Sequence, residues 1–239
     1  MAVSDFRQSG YLREPAPLAG RVSRETLGRQ IANALRNEIL LGSLRPGQHL
    51  NQQQVCEQFG VSRMPVRDAF MLLAYEGFVV DEGAGRLIVA RLTKQDLEDV
   101  YMIEGILHGI ACRRATEIAT AEDLGELKDL HDQLAVAVKE NDGAAMATLN
   151  WAFHRRINQL SASPKLTAAL RPLAQSIPRE LFASVPSWGR KAVSMQQKLL
   201  SAMRARNADR AEAIMIKHVG EAGADFLKFL QDRGIEFTA

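Results

Sequence analysis

Hydrophobic residues recur along most of the chain at the three- and four-residue spacing of amphipathic helices. In the N-terminal part this spacing predicts one helix from Arg24 to about Gly42 and two shorter ones between Leu50 and Phe78. Strand-like apolar segments follow at residues 78–80 and 87–89, on either side of a glycine-containing turn. The pattern therefore predicts a mainly α protein with one small β element.

From Thr93 onward every apolar stripe has the period of a helix. Thr93 is followed three residues later by Asp96, which is a typical arrangement at a helix start. Further helix starts are predicted at Thr120 and at Ser163 with Pro164. A break is predicted at Pro178 and a loop from Pro186 to Gly189. A helix around Val193 to Arg206 follows, and then a last helix from about Ala208 past Leu230. We therefore predict an all-α bundle of about six helices.

The two short helices between Leu50 and Phe78 are separated by a tight turn at Gly60 and Val61. Asn51 is able to cap the first helix and Ser62 the second. The predicted buried face of the second helix consists of Val66, Ala69, Phe70 and Leu73. Two short helices joined in this way are typical of the helix-turn-helix motif that binds DNA.

The second short helix carries Arg63 in its first turn and Arg67 four residues later on the same side. Helix dipole and like charge both disfavour this pair in isolation, and an anion in front of the helix would reverse the balance. Phosphates and the guanine edge are suitable targets for such arginines. Two ordinary surface arginines are the alternative, but the surrounding motif favours DNA contact. The predicted contacts on this helix are Ser62, Arg63, Met64 and Arg67.

The segments LRPGQHLNQQQV, GVSRMPVRDAF and LLAYEGFV resemble the winged helix-turn-helix of GntR-type bacterial transcription regulators. The usual pattern of that family is PGxxLxExxLAxxLGVSRxPVREALxxLxxEGLV, and by this resemblance Arg63 and Arg67 are its DNA-reading arginines. Gln53 stands where many relatives carry a DNA-contacting arginine, so we expect a weaker contact there or one to a base edge. Arg86 stands at a glycine position of the wing, where we expect a charged contact to replace a backbone contact.

The helical region resembles the FCD ligand-binding domain of the FadR-like GntR branch, through FH in NWAFH and through IMIKHV. In many such domains an aspartate and three histidines bind a divalent metal beside a carboxylate-type effector. The corresponding residues here are Asn150, His154, Gln196 and His218. Since amide oxygens are poor substitutes for a carboxylate and an imidazole, we expect zinc or nickel to bind weakly, through His154, His218 and Asn150.

Two further residues belong to the predicted effector site. Glu104 and His108 occupy the RxxxE positions of the first FCD helix and are four residues apart, on one helix face. They could supply compensating metal ligands if they face the site. A surface ion pair or a core histidine with satisfied hydrogen bonds is the alternative, and without the resemblance His154 and His218 are also more typical of a core or an interface.

Composition adds little to this picture. A formal net charge of +2 is weak evidence for nucleic acid, so the DNA argument depends on where the arginines lie. Cys56 and Cys112 fall within helical patterns, outside any metal-type cluster, and are predicted to be reduced core residues. No apolar run resembles a signal peptide or approaches membrane-spanning length, so we expect a cytoplasmic protein without membrane contact.

Residues 1–22 are predicted to be a flexible arm, 23–92 the winged DNA-binding domain with three helices and a two-stranded wing, and 93–233 the FCD-type effector-binding and dimerisation domain. Three hypotheses follow. The first is a ligand-responsive regulator, which binds a short inverted repeat as a homodimer; the resemblance implies a repressor released by a small carboxylate or sugar acid. The second is a metal hydrolase, disfavoured because HExxH and a nucleophile elbow are absent from the sequence. The third is a DNA-binding dimer with a vestigial effector pocket.

Overall fold

The computed structural model describes residues 26–177, 179–235 and 237, so the predicted flexible arm lies outside the described residues. The N-terminal region contains α1 (Leu27–Leu40), α2 (Gln52–Phe59), α3 (Arg63–Tyr75), β1 (Val79–Asp81) and β2 (Leu87–Val89). The two strands are antiparallel, with Val80 opposite Ile88. Three helices and a two-stranded wing are therefore confirmed.

The ends of α2 and α3 follow from local sequence. Asn51 caps α2 by accepting hydrogen bonds from the backbone N–H groups of Gln53 (2.8 Å) and Gln54 (3.2 Å). Gly60 ends α2 in the left-handed conformation, with a φ of 64°, which glycine adopts without strain. Ser62 occupies the N-cap of α3, but its hydroxyl makes no capping hydrogen bond. Backbone donors in the first turn of α3 therefore remain available to an anion.

The recognition helix α3 is held against α1. Val66, Ala69, Phe70 and Leu73 are all buried, as predicted from their spacing. A Cβ atom at Gly28 of α1 would lie 3.0 Å from Cβ of Asp68, so a larger residue there would push the two helices apart.

A buried ion pair also joins α1 to the C-terminal end of α3. The guanidinium of Arg36 donates hydrogen bonds to Glu76 and to Asn33 Oδ1 (2.7 Å), and lies over the ring of Phe78. The side chains of Arg36 and Glu76 are only 1% and 5% exposed. Breaking one partner of such a pair leaves an uncompensated buried charge, so this contact fixes both helices relative to the wing.

The C-terminal region is a helical bundle. Its described elements are α4 (Lys94–Ile118), α5 (Ala121–Glu140), α6 (Gly143–Leu160), α7 (Pro164–Ser176), the short α8 (Arg179–Phe182), α9 (Trp188–Arg204) and α10 (Ala208–Asp232). α4 begins with the predicted capping box, in which Thr93 Oγ1 accepts from the Asp96 N–H and the Asp96 carboxylate accepts from the Thr93 N–H. α10 packs along α4. No helix in the described part of the chain is long and apolar enough to cross a membrane.

One predicted boundary is wrong. The sequence pattern placed a loop at Pro186 to Gly189, whereas α9 already begins at Trp188. Ser187 adopts a φ of 64°, which turns the chain abruptly, and Trp188 is then buried at the start of the helix.

Both cysteines, Cys56 and Cys112, are buried and free, and burial raises the pKa of Cys112 to about 12. Neither thiol is therefore suited to nucleophilic chemistry.

Replacing Phe70 by Ala removes a large side chain that is 4% exposed from the α1–α3 interface. We expect the free energy of unfolding of the winged domain to fall by about 3–5 kcal/mol, because the cavity adds to the lost burial. Hydrogen–deuterium exchange of the α1 and α3 amides measures this locally. Met71→Ala is the control, since Met71 is 64% exposed on the same helix. Equal exchange in the two variants would show that the buried face is misassigned.

Candidate functional site

The N-terminal end of α3 presents a polar and cationic surface. The side chains of Ser62, Arg63, Met64 and Arg67 are all exposed. Within the described residues Arg67 takes part in no salt bridge, so its guanidinium can bind a new partner without first losing one. This is the arrangement expected of a helix end that enters the major groove.

Gln53 positions Arg63. The Gln53 Oε1 atom accepts a hydrogen bond from Arg63 Nη2 (3.3 Å), and Gln53 Nε2 donates to Glu57 Oε1 (2.9 Å). Gln52 Nε2 also donates to the backbone carbonyl of Arg63 (2.9 Å). The amides of α2 therefore orient the first turn of α3, a role that the sequence did not reveal because it depends on contact across the turn.

Arg86 lies at the tip of the wing and its side chain is 63% exposed. The tip is a tight turn in which Gly83, Ala84 and Gly85 all have positive φ. Arg86 Nε lies 3.5 Å from Glu82 Oε2, and this exposed pair contributes little stability. Arg86 can therefore exchange Glu82 for a phosphate at small cost.

In the helical bundle three histidines from three helices meet. The His154 ring of α6 lies between the other two, with its centroid 5.1 Å from that of His108 on α4 and 5.5 Å from that of His218 on α10. The planes of His154 and His218 are 15° apart, which is a stacked arrangement. We call these three histidines, together with Glu104, Asn150, Asn158 and Gln196, the polar cluster.

His108 is anchored from both sides. Its Nδ1 atom lies 3.0 Å from Asn158 Oδ1, and its Nε2 atom lies 3.3 Å from Glu104 Oε1. Both predicted residues of α4 thus belong to the cluster, and each ring nitrogen of the buried His108 lies near an oxygen atom. Asn158 was not predicted. Its position four residues after His154, on the same face of α6, is the sequence signal that could have found it.

The two amides at the predicted metal positions bind each other. Gln196 Nε2 donates a hydrogen bond to Asn150 Oδ1 at 3.1 Å. Gln196 is fully buried, yet its Oε1 atom has no hydrogen-bond partner, and neither has the buried Nδ1 atom of His154. Buried polar atoms are normally satisfied, so these two atoms indicate a place for water or a polar ligand.

Burial sets the charge of the cluster. It lowers the pKa of His154 well below its ordinary value, with the neighbouring His108 and His218 adding to the effect. Burial, and then the proximity of His108, also lowers the pKa of His218 to about 4. Both imidazoles are therefore neutral at pH 7.

The donor set does not fit a divalent transition metal. Asn150 uses its oxygen to accept from Gln196, and an amide oxygen is a poor ligand for zinc or nickel. No metal-holding group of three His, Cys, Asp or Glu side chains was found in a search of the described residues.

Two concave regions border α10. A small cavity of about 30 Å³ adjoins His218 and is lined also by Trp188 and Met195. It has room for about one water molecule, so a metabolite can enter the polar cluster only if side chains move. A larger groove of about 480 Å³ lies between α4 and α10 and is lined mainly by apolar residues, including Met102, Ile106 and Ile216.

Comparison with protein families divides the chain in the same way as the fold. Residues 27–87 match the model described as bacterial regulatory proteins of the gntR family, and residues 99–221 match the FCD domain. The HTH-type transcriptional regulator McbR of Escherichia coli is 27% identical over 197 residues, covering 81% of this chain and 89% of McbR. The HTH-type transcriptional repressor RspR of the same organism is 23% identical and covers 90% of this chain and 95% of RspR.

A solved structure, E. coli McbR/YncC, has the same fold. It superposes with a TM-score of 0.63 at 23% sequence identity, covering 89% of this chain and 100% of that one.

Folding stability should fall on acidification because of His218. The unfolded chain protonates this residue near its ordinary pKa of about 6.5, whereas the folded protein keeps it neutral to about pH 4. Its contribution is thus complete above about pH 6.5 and is lost as the pH falls towards 4. We expect His218 to account for about 2 kcal/mol of the stability lost between pH 7 and pH 5 in urea titrations, in addition to the loss from His154, whose pKa burial also lowers.

The control variants isolate this contribution. His218→Gln, which does not titrate, should reduce the pH dependence by that amount. His49→Gln, which removes an exposed histidine beside the wing and outside the helical bundle, is the matched control substitution. If His218→Gln behaved like the wild type, the stability loss would have to arise elsewhere.

Zinc and nickel should bind the wild type weakly and bind the double variant Asn150→Asp, Gln196→His tightly. The double change supplies a carboxylate and a third imidazole to the set that already contains His154 and His218. Elemental analysis of untagged protein, followed by metal titration against a mild chelator, measures the difference. Near-stoichiometric metal in the wild type, lost on His154→Ala, would contradict this prediction.

Proposed function

Since this chain belongs to the GntR family of bacterial regulatory proteins and carries an FCD domain, we propose that it is a ligand-responsive repressor that binds a short inverted repeat as a homodimer. Its relatives are transcriptional regulators rather than enzymes. The bacterial chromosome lies in the cytoplasm, where we also place the protein.

The end of α3 supports DNA recognition most directly. Arg63 and Arg67 are exposed beside backbone donors that Ser62 leaves uncapped. Positive side chains at a positive helix end are unfavourable in water and favourable against phosphate and guanine. Gln53 and Arg86 extend the same surface across α2 and the wing.

A homodimer is supported by the exposed apolar groove between α4 and α10. Met102 and Ile106 of α4 and Ile216 of α10 line it and expose 38–55% of their surfaces. Contiguous exposed apolar surface is typical of protein interfaces. One recognition helix reads few base pairs, so a second copy is also needed for useful specificity.

The polar cluster is the proposed effector site. Gln196 Oε1 is an acceptor without a partner, and the hydroxyl groups of a sugar acid are suitable donors for it. The resemblance to FCD domains implies a small carboxylate or sugar acid. Given the poor fit of the donor set, the ligand would be bound by hydrogen bonds from Asn150, His154, Gln196 and His218, beside Glu104 and His108, without a metal.

The helix α4 offers a route from this site to DNA. It starts at Thr93, directly after the wing, and carries Glu104 and His108 into the polar cluster. Ligand entry needs side chains to move, because the adjoining cavity is only about 30 Å³. A displacement of α4 would change the spacing of the two winged domains, and this spacing decides whether both recognition helices reach DNA together.

The second candidate function is a DNA-binding dimer whose effector pocket is vestigial. The stacked rings of His154 and His218 and the amide pair of Asn150 and Gln196 fill the site with one another, which favours this alternative. Regulation would then depend on protein concentration alone.

Arg67→Ala should weaken binding to a selected operator by about 1–3 kcal/mol per lost base contact and relax its sequence preference. Arg63→Ala should add to the loss. Fluorescence anisotropy at fixed salt gives affinity, and the mass of the complex gives stoichiometry. Arg210→Ala, which removes an exposed arginine in α10, is the control. Unchanged affinity with both α3 arginines removed would exclude the proposed interface.

A thermal-shift screen of organic acids and sugar acids, with and without divalent metals, distinguishes the two candidates. An effector should raise the melting temperature and change operator affinity, and His154→Gln should abolish both effects, whereas His49→Gln should keep them. If the protein binds its operator tightly and no acid changes that affinity, the second candidate, a dimer with a vestigial pocket, is correct.

A further inference from the structure

Met64 is an apolar side chain at the tip of a helix end that is otherwise polar. It follows Arg63 in the first turn of α3, two residues before the buried Val66. Its side chain is exposed, with 57% of the residue surface accessible. It therefore adds almost nothing to the core. We propose that Met64 reads the C5-methyl group of a thymine in the major groove, beside the base pair read by Arg67. This inference rests on the proposed DNA-binding function.

Helix geometry places Met64 beside Arg67. Residues three apart on a helix are neighbours on one face, with Cβ atoms about 5–6 Å apart, so Met64 and Arg67 point the same way. Arg63 precedes Met64 by one residue and is rotated from it by about 100°. It is also tied to Gln53 on α2. Arg67 lies between Arg63 and Met64 in rotation, about 40° from Arg63 and about 60° from Met64, so Met64 and Arg67 are close enough to contact neighbouring base pairs.

The same geometry limits where the thymine lies. Successive base pairs are stacked about 3.4 Å apart, so side chains with Cβ atoms about 5–6 Å apart reach base pairs one or two steps from each other. If Arg67 reads guanine, the half-site contains a thymine, on either strand, within two base pairs of that guanine.

Chemistry selects thymine over the other bases. Thymine is the base that presents a methyl group in the major groove, whereas adenine, guanine and cytosine present mainly donors and acceptors there. A thioether placed against the amino group of cytosine would desolvate that donor without replacing its hydrogen bond. The flexible Met64 side chain can instead adapt its contact to the thymine methyl.

Met71 is a matched control in the same helix. It is 64% exposed and lies seven residues after Met64, about 10 Å further along the axis. Recognition helices contact bases mainly through their N-terminal residues, so Met71 should lie outside the contacted step.

The test uses the full-length protein and a duplex site selected from a randomised pool. Each thymine of the site is replaced in turn by deoxyuridine, which pairs identically and lacks only the methyl group. Anisotropy at fixed salt then measures wild type, Met64→Gln, Met64→Leu and Met71→Gln. For wild type, Met64→Leu and Met71→Gln we expect one thymine per half-site at which deoxyuridine weakens binding about fourfold, as for one methyl-sized group returned to water.

Met64→Gln should bind the thymine and deoxyuridine duplexes equally. The inference is overturned if no thymine is sensitive, or if Met64→Gln keeps the wild-type sensitivity. If the sensitivity to deoxyuridine disappeared only in Met71→Gln, the methyl contact would belong to Met71 rather than Met64, and the inference would also be overturned. A wild-type protein that selects no sequence at all would reject the proposed function itself, a result distinct from specific binding without a methyl effect.

Discussion

The close approach of α4 and α10 is the constraint on which the helical domain depends. A Cβ atom at Gly109 would lie 2.6 Å from Cγ1 of Ile216, and one at Gly105 would lie 3.3 Å from the Ile216 carbonyl oxygen. A side chain at Gly223 would collide with the ring of Tyr101. These glycines let two long helices pack at short range. His108 and His218 lie next to these contact points, so the geometry of the polar cluster follows from them.

The Arg36–Glu76 ion pair and the polar cluster differ in how completely their polar atoms are hydrogen-bonded. Burial raises the pKa of Glu76 despite the lowering effect of Arg36, which shows how strongly this ion pair is desolvated. Each guanidinium nitrogen of Arg36 nevertheless donates a hydrogen bond, to Glu76 or to Asn33. A buried network that is satisfied in this way holds one geometry. In the polar cluster Gln196 and His154 keep atoms without partners. The ion pair therefore holds α1 and the end of α3 in one geometry, whereas the polar cluster has atoms available to a further polar partner.

The structural features that could be predicted from the sequence are those determined by residues only a few positions apart. The Asn51 cap, the capping box at Thr93 and the inward face of α3 depend on spacings of three or four positions, and all are present. The start of α9 was mispredicted, because the positive φ of Ser187 is not encoded by a glycine.

Contacts between distant segments could not be read from one sequence. The ring contact of His108 with His154, the hydrogen bond from Arg63 to Gln53 and the pairing of Arg36 with Glu76 all require the fold. The resemblance to FCD domains pointed to residues of α4, α6, α9 and α10 that the fold brings close together. It could not show that Asn150 and Gln196 bind each other.

The uninterrupted run of α4 has a consequence for exchanging domains between related proteins. Glu104 lies roughly 16 Å along the helix axis from the cap at Thr93, with regular helix between them. Each residue inserted or deleted in that stretch rotates everything before it by about 100° about the axis and shifts it by about 1.5 Å. A chimera joined inside α4 must therefore preserve helical phase, whereas a junction before Thr93 is free of that requirement. The boundary before Thr93 is therefore the place where the winged domain can be exchanged without constraint on the phase of α4.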